Sequence, residues 1–357
     1  HVGVNGEHHT KRKRAPLVSV VSPSPLWLPG EMISRSFFLP LAVFLALATP
    51  ACADPLATAM RSVVSVLPEW PQGQRNNDEP EGSGIVIADG SGAFVVLTAW
   101  HVVSKARSIR VRTSDGDVVT AQIAGKDPAT DLALLRLDGS ASLDLSPFKL
   151  DDESLALGTP VCTIGNAFGL GLSVTCGVVS GTQRTGVGFN PVEDFVQTDA
   201  AVNPGASGGA LVTRNGRLAG MLSAIFTKQS DANIGVNFAV SVPLIKRVVE
   251  ELLMNGRVTR VLSGLQLGRA VGRLGTGRMA ARVVRVRPGS PAALAGIKPG
   301  DAIFQAGGRR IRKPADFRSV MNRARPPFDL RVKLVRGARK LSPVLKIPAT
   351  DWSKAKQ

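Results

Sequence analysis

The sequence predicts a mostly β protein of two domains, and three observations carry that prediction. Short apolar runs rich in Val, Ile and Thr recur through the first half, cut by Gly, Asp and Pro, which is the rhythm of a barrel or sandwich. The charge balance reverses near residue 256: 15 Lys/Arg stand against 21 Asp/Glu over residues 54–256, and 24 against 4 over residues 257–357. The length, 357 residues, exceeds what one hydrophobic core usually serves, so two cores are expected. With 44% hydrophobic and 20% charged residues the composition can fill such cores, which excludes a disordered or collagen-like chain.

The elements follow in order. Met32 precedes Arg35, the apolar run FFLPLAVFLALA and the triplet ACA at residues 51–53, the layout of a cleaved secretory signal peptide over residues 32–53. The run is too short to span a bilayer. Residues 1–31 lie upstream of Met32 and are set aside, so the mature chain is expected to start near Asp54. The runs GIVIA, AFVVLT, SIRVRT, VVTAQIAG and LALLRL read as strands. PEWPQGQRNNDEPEG has no apolar period and reads as a loop. PLIKRVVEELLMNG reads as a helix, with Pro243 at its start and Gly256 past its end. Beyond it, Ser290 is placed to cap a helix opening at Pro291 and ending at Gly296; ADFRSVMNRA predicts a second helix.

Cleavage before Asp54 removes three of the four histidines and leaves His101, with Cys162 and Cys176 as the remaining cysteines. A structural or catalytic zinc site needs three or four ligands, so no His/Cys metal site and no cofactor are expected. The two cysteines flank a predicted hairpin; a disulfide and two buried thiols are equally compatible with that placement.

Three local patterns carry chemistry. VLTAWHVV puts His101 at the end of an apolar strand, where an isolated histidine is more often half-buried filler. ATDLALLRL puts Asp131 just before an alternating strand, where an isolated aspartate is more often a turn residue. NPGASGGAL surrounds Ser207 with Gly205, Gly208 and Gly209, which suits a tight turn as well as a presented nucleophile. Taken together they form a serine, a base for its proton and a carboxylate to fix the base's tautomer, in the order His, Asp, Ser. Asp199, near Ser207, is the second candidate carboxylate; no strand follows it at the right place.

These motifs resemble those of the HtrA (DegP/DegQ-like) serine proteases, a branch of the chymotrypsin-fold peptidases with C-terminal PDZ domains. TAWHVV, TDLALLRL and QTDAAVNPGASGGAL resemble the histidine, aspartate and serine motifs; GSGIVI, IGNAFGLGLSVTCGVVS and IGVNFAVSVPLIKRVV extend the likeness. VVRVRPGSPAALAGIKPGDAIFQAGGRRI resembles the core of a PDZ domain. The resemblance implies a chymotrypsin-like double β-barrel over residues 54–256, one PDZ domain over residues 257–348 and a tail over residues 349–357. It implies His101 as general base, Asp131 as its orienter, Ser207 as nucleophile, and the Gly205 and Ser207 N–H groups as oxyanion hole. Ile234, Gly235 and Val236 become a substrate-pocket wall suited to small aliphatic side chains. Gly264, Leu265, Gln266 and Leu267 become the PDZ peptide-binding loop.

Expected partners are unfolded or misfolded proteins, hydrophobic C-terminal peptides, and two further copies in a homotrimer with contacts through DPLATAMRSVVSVLPEW. The expected location is the periplasm. The arginine excess invites nucleic acid, but aromatics are sparse and the chain reads as exported, so none is expected; a solvated basic face is the favoured reading, with weak attraction to an anionic membrane surface left open beside it. Ala206, where the family usually has Asn, and Ala210, where it usually has Pro, leave a catalytically latent chaperone as the alternative. Trp100 is bulkier than the residue common beside the histidine.

Overall fold

Five of the apolar runs close into a barrel with a sixth strand, Val63–Glu69. The computed structural model describes residues 54–71, 81–139, 143–151, 154–225, 234–269 and 279–350. The signal-peptide segment, the residues upstream of it and most of the C-terminal tail lie outside these. Strands β1 (Val63–Glu69), β2 (Gly82–Ala88), β3 (Phe94–Ala99), β4 (Ser108–Arg112), β5 (Val118–Asp127) and β6 (Leu132–Leu137) form a closed antiparallel barrel in the order β1-β2-β3-β6-β5-β4. Val64, Val66, Ile85, Val96, Leu97, Leu134 and Leu135 on these strands are all fully buried, on one face or the other of the barrel wall. A closed barrel leaves no unpaired strand edge.

A second closed barrel follows, from β7 (Pro160–Gly165), β8 (Ser173–Arg184), β9 (Phe195–Thr198), β10 (Ala210–Thr213), β11 (Leu218–Ile225) and β12 (Asn237–Ser241), in the order β10-β11-β12-β9-β8-β7. Val161, Leu211 and Leu222 are buried in it. Cys162 and Cys176 are directly opposed across β7 and β8 and are joined by a disulfide. Helix α1 (Pro55–Met60) precedes the first barrel, and α2 (Trp100–Val103) is the single turn that carries His101 off the end of β3.

Helix α3 (Val242–Asn255) leaves the second barrel. Val242, Leu244, Ile245, Val248, Val249 and Leu252 recur at helical spacing and are buried, contributing about 1.5–3 kcal/mol each. Pro243 sits in the first turn, where its missing N–H costs nothing, and Gly256 ends the helix at φ +65°.

The remaining strands form a separate sheet. β13 (Leu265–Arg269), β14 (Ala281–Val286), β15 (Ala302–Ala306), β17 (Phe328–Arg336) and β18 (Arg339–Leu341) are consecutive neighbours; β16 (Arg309–Arg310) pairs with β15 and β19 (Val344–Ile347) with β17. Two helices complete the layer, α4 (Pro291–Leu294) and α5 (Pro314–Asn322). Ser290 Oγ caps α4 by accepting from Ala293 N at 3.2 Å. Val283, Ile303, Phe317, Val332, Leu334 and Leu345 make a core of their own, as the PDZ resemblance implies. Asp301, fully buried, accepts both arms of the Arg336 guanidinium at 2.7 and 2.8 Å and Lys298 N at 2.9 Å.

This layer is tied to the double barrel by charge. Arg309 Nη2 donates to Asp194 Oδ1 at 2.7 Å, and Arg318 Nη1 to the Pro191 carbonyl at 2.7 Å. Thr185 Oγ1 donates to Asp316, the acidic residue in the first turn of α5.

Candidate active site

Strand register decides which carboxylate meets the histidine. β3 and β6 are neighbours with Ala99 opposite Leu132, so the residues just past the end of one and just before the start of the other converge. Those residues are His101 and Asp131. Asp131 Oδ2 lies 2.6 Å from His101 Nδ1, Asp131 Oδ1 accepts from His101 N at 2.9 Å, and the Asp131 carbonyl accepts from Trp100 N at 3.0 Å. The aspartate is held at φ +60°, a left-handed conformation that Asp tolerates better than most residues. Three hydrogen bonds to the segment carrying the histidine keep it there.

Asp199 is engaged elsewhere. Its Oδ1 accepts from Val178 N at 2.7 Å, tying the end of β9 to β8. The second candidate carboxylate thus has a structural partner in the second barrel.

Ser207 is brought in from the other barrel, on the loop that leads into β10. The loop reaches β2 and β3 through one buried residue, Ser83. Ser83 N donates to the Ser207 carbonyl at 2.8 Å; its Oγ donates to the Gly205 carbonyl at 2.8 Å and accepts from Asn166 N at 2.8 Å. The Ser83 carbonyl accepts from Thr98 Oγ1 at 2.7 Å, three residues before the histidine. The glycines are required by this docking. A Cβ on Gly208 would lie 2.0 Å from the Ser83 carbonyl oxygen, and one on Gly205 2.4 Å from the Asn166 carbonyl oxygen; both glycines have φ near +90°. Only glycine fits such a conformation at such an approach.

The orientation of the loop amides follows from the same bonds. The Pro204 carbonyl accepts from Phe168 N at 2.7 Å. A trans peptide points its N–H opposite its C=O, so the Gly205 N–H is aimed away from Phe168. Among the described residues neither Gly205 N nor Ser207 N donates a backbone hydrogen bond, and Gly208 N is committed to the Leu222 carbonyl at 2.7 Å. Two uncommitted donors beside a serine are what a developing oxyanion requires.

Trp100 is half-buried with Lys126 Nζ 4.5 Å above its ring, a cation–π contact beside the histidine turn. Ile234 and Gly235, at the approach to β12, are exposed and half-buried, with Val236 half-buried after them. In the second layer a groove of about 420 Å³ runs between β13 and α5, lined by Leu265, Gln266, Leu267, Phe317 and Met321. Gly264, at φ +82°, turns the chain into β13.

Sequence reasoning singled out the glycines and the three chemical residues but assigned no part to Ser83, Thr98 or Asn166. The GSG triplet at residues 82–84 and the Asn of IGN were visible as motifs. What they do depends on which loops the barrels bring together.

A trypsin-like peptidase domain matches residues 82–221 and a PDZ domain matches residues 282–336. The periplasmic serine endoprotease DegP of Salmonella typhimurium is 38% identical over 253 residues, covering 69% of this chain and 52% of that protein. The periplasmic pH-dependent serine endoprotease DegQ of Escherichia coli is 29% identical over 342 residues, covering 92% of this chain and 74% of that protein. The chain spans little more than half the length of the DegP relatives it matches. The solved structure of the HtrA-type protease AlgW with a tripeptide superposes with a TM-score of 0.64 at 32% identity, covering 84% of this chain and 97% of that one. With its two closed barrels, its PDZ layer and these relatives, the chain belongs to the HtrA family of serine proteases.

Proposed function

We propose that the chain is an ATP-independent serine endopeptidase that cleaves unfolded or misfolded proteins of the cell envelope. The observation that carries this reading is the 2.6 Å contact between His101 Nδ1 and Asp131 Oδ2. An Nδ1–H donating to that carboxylate leaves the Nε2 lone pair to act as base. Ser207 Oγ attacks the scissile carbonyl carbon as its proton passes to Nε2, and the C=O electron pair moves onto oxygen. The Gly205 and Ser207 N–H groups stabilise that oxyanion. On collapse the C–N bond breaks and the imidazolium protonates the leaving amine. Water then repeats the sequence on the acyl-enzyme, releasing the acid and restoring Ser207. Asp131 stays ionised throughout and stabilises the imidazolium.

Ile234, Gly235 and Val236 form one wall of the pocket for the residue before the cleaved bond. They carry no acid to favour a basic side chain, so small aliphatic residues are preferred. Gly264, Leu265, Gln266 and Leu267 receive a hydrophobic C-terminus, which adds as a strand to β13 with its side chains against α5. The relatives' names support a periplasmic setting. Homotrimeric assembly through the segment around α1, and weak attraction of the arginine-rich layer to anionic membrane, complete the reading. The alternative of a latent chaperone on the same fold keeps binding and loses turnover.

Cleavage of reduced casein by the full chain, with Ser207→Ala alongside, tests the reading. Proteolysis lost in the variant is the expected result, with cuts after small aliphatic residues. No cleavage, even with a hydrophobic C-terminal peptide added, would bring the chaperone forward.

A further inference from the structure

The turn that delivers Asp131 is gripped from outside the double barrel. Asp127 ends β5 and is buried, 4% exposed, four residues before the catalytic-type aspartate. Its Oδ2 accepts from Thr130 Oγ1 at 2.6 Å, and Thr130 N donates to the Asp127 carbonyl at 3.2 Å. Both carboxylate oxygens also receive the guanidinium of Arg260, Nη1 at 2.8 Å from Oδ1 and Nη2 on Oδ2. Arg260 belongs to the connection between α3 and β13, and its remaining arm, Nε, donates to Asn322 Oδ1 at 2.9 Å at the end of α5. One planar guanidinium thus joins the aspartate turn to a helix that walls the peptide groove.

The connection itself is fixed. Arg247 and Glu251, both buried on α3, pair at 3.0 Å; Arg247 Nη2 donates to the Thr259 carbonyl at 3.0 Å and Nε to the Ala324 carbonyl at 2.9 Å, while Thr259 N donates to Glu251. Arg260 is therefore presented from a braced backbone. Asp131 needs that support. A residue at φ +60° holds about 1–3 kcal/mol of strain and persists only where its surroundings over-determine it. Without Arg260, Asp127 would keep only the Thr130 hydroxyl in a buried setting, and the turn would have to open toward water or rearrange.

We propose that Arg260 is a positioning residue for Asp131, acting through Asp127 and Thr130, so that the PDZ layer and the catalytic carboxylate share one side chain. The inference rests on the reading of His101, Asp131 and Ser207 as a catalytic triad. Lysine cannot reproduce the grip, because it lacks the fork that meets both oxygens of Asp127 while a third nitrogen reaches Asn322.

The test uses the full chain carrying Arg260→Met, Arg260→Lys, Asp127→Asn and the Arg260→Met/Asp127→Asn double variant. On a short chromogenic peptide, which makes few contacts away from the cut, kcat is expected to fall about tenfold in each single variant with KM within about twofold. The double variant is expected to be no worse than either single one. In a Ser207→Ala background, the low-field proton resonance of the His101–Asp131 hydrogen bond should shift or broaden with each substitution. That readout needs no turnover, so it decides the inference even if the unaltered chain cleaves nothing and the protease reading fails. Folded variants with an unchanged resonance would overturn the proposal, as would kcat losses that multiply in the double variant.

Discussion

Removing one buried hydroxyl, in Ser83→Ala, should separate the roles of fold and loop. The Ser83 Oγ is the shared partner of the Gly205 carbonyl and Asn166 N, each at 2.8 Å, and both Ser83 and Asn166 are fully buried. Alanine leaves one acceptor and one donor without that partner. At about 1–3 kcal/mol for each buried group so left, partly relieved by relaxation, the variant should lose roughly 2–4 kcal/mol of stability. A domain of ordinary stability, about 5–15 kcal/mol, stays folded under that loss. The catalytic effect is separate. In the proposed mechanism Gly205 supplies one of two oxyanion donors, and deleting such a donor outright costs about 10²–10³ in kcat. Loosening the peptide that carries it should therefore lower kcat about 10–100-fold with little change in KM. Urea unfolding followed by tryptophan fluorescence gives the first number, and initial rates on a chromogenic peptide give the second. A variant with the expected stability loss and kcat within twofold of the parent would refute the reasoning, since the hydroxyl would then matter to the fold alone.

Three further outcomes follow from named contacts. Asp131→Asn keeps a side chain that tolerates φ +60°, so the fold should persist; the amide cannot hold the imidazole in the required tautomer, and kcat should fall about 10⁴-fold in steady-state assays. Replacing Cys162 and Cys176 together by serine opens a loop closed over a sequence separation of 14 and should cost about 3 kcal/mol in denaturant midpoint experiments. Asp301→Ala removes the acceptor of Arg336 and Lys298 N in the PDZ layer. About 2 kcal/mol is expected, because the arginine is partly solvated; hydrogen exchange should show protection lost first in β15 and β17.

The sequence by itself determined the class of fold and the chemical cast. Period-2 apolar runs reported the strands of the first barrel, because a strand with one buried face must alternate and one with two buried faces must be apolar throughout. Pro243 and Gly256 marked the helix through backbone restrictions that act locally. His101, Asp131 and Ser207 were legible because the proposed triad needs those residue types, and glycines crowd Ser207 because no other residue fits there. Tertiary structure decided what these residues touch. The choice of Asp131 over Asp199 is geometric: Ala99 pairs with Leu132, which sets Asp131 against His101, while Asp199 is taken by Val178 N. Ser83, Asn166 and Thr98 support the serine loop only because two barrels bring separate segments together, and Arg260 finds Asp127 across 133 residues of sequence. Contacts of that separation leave no local period or spacing in the chain; they exist only once the packed domains place a side chain where its partner is buried.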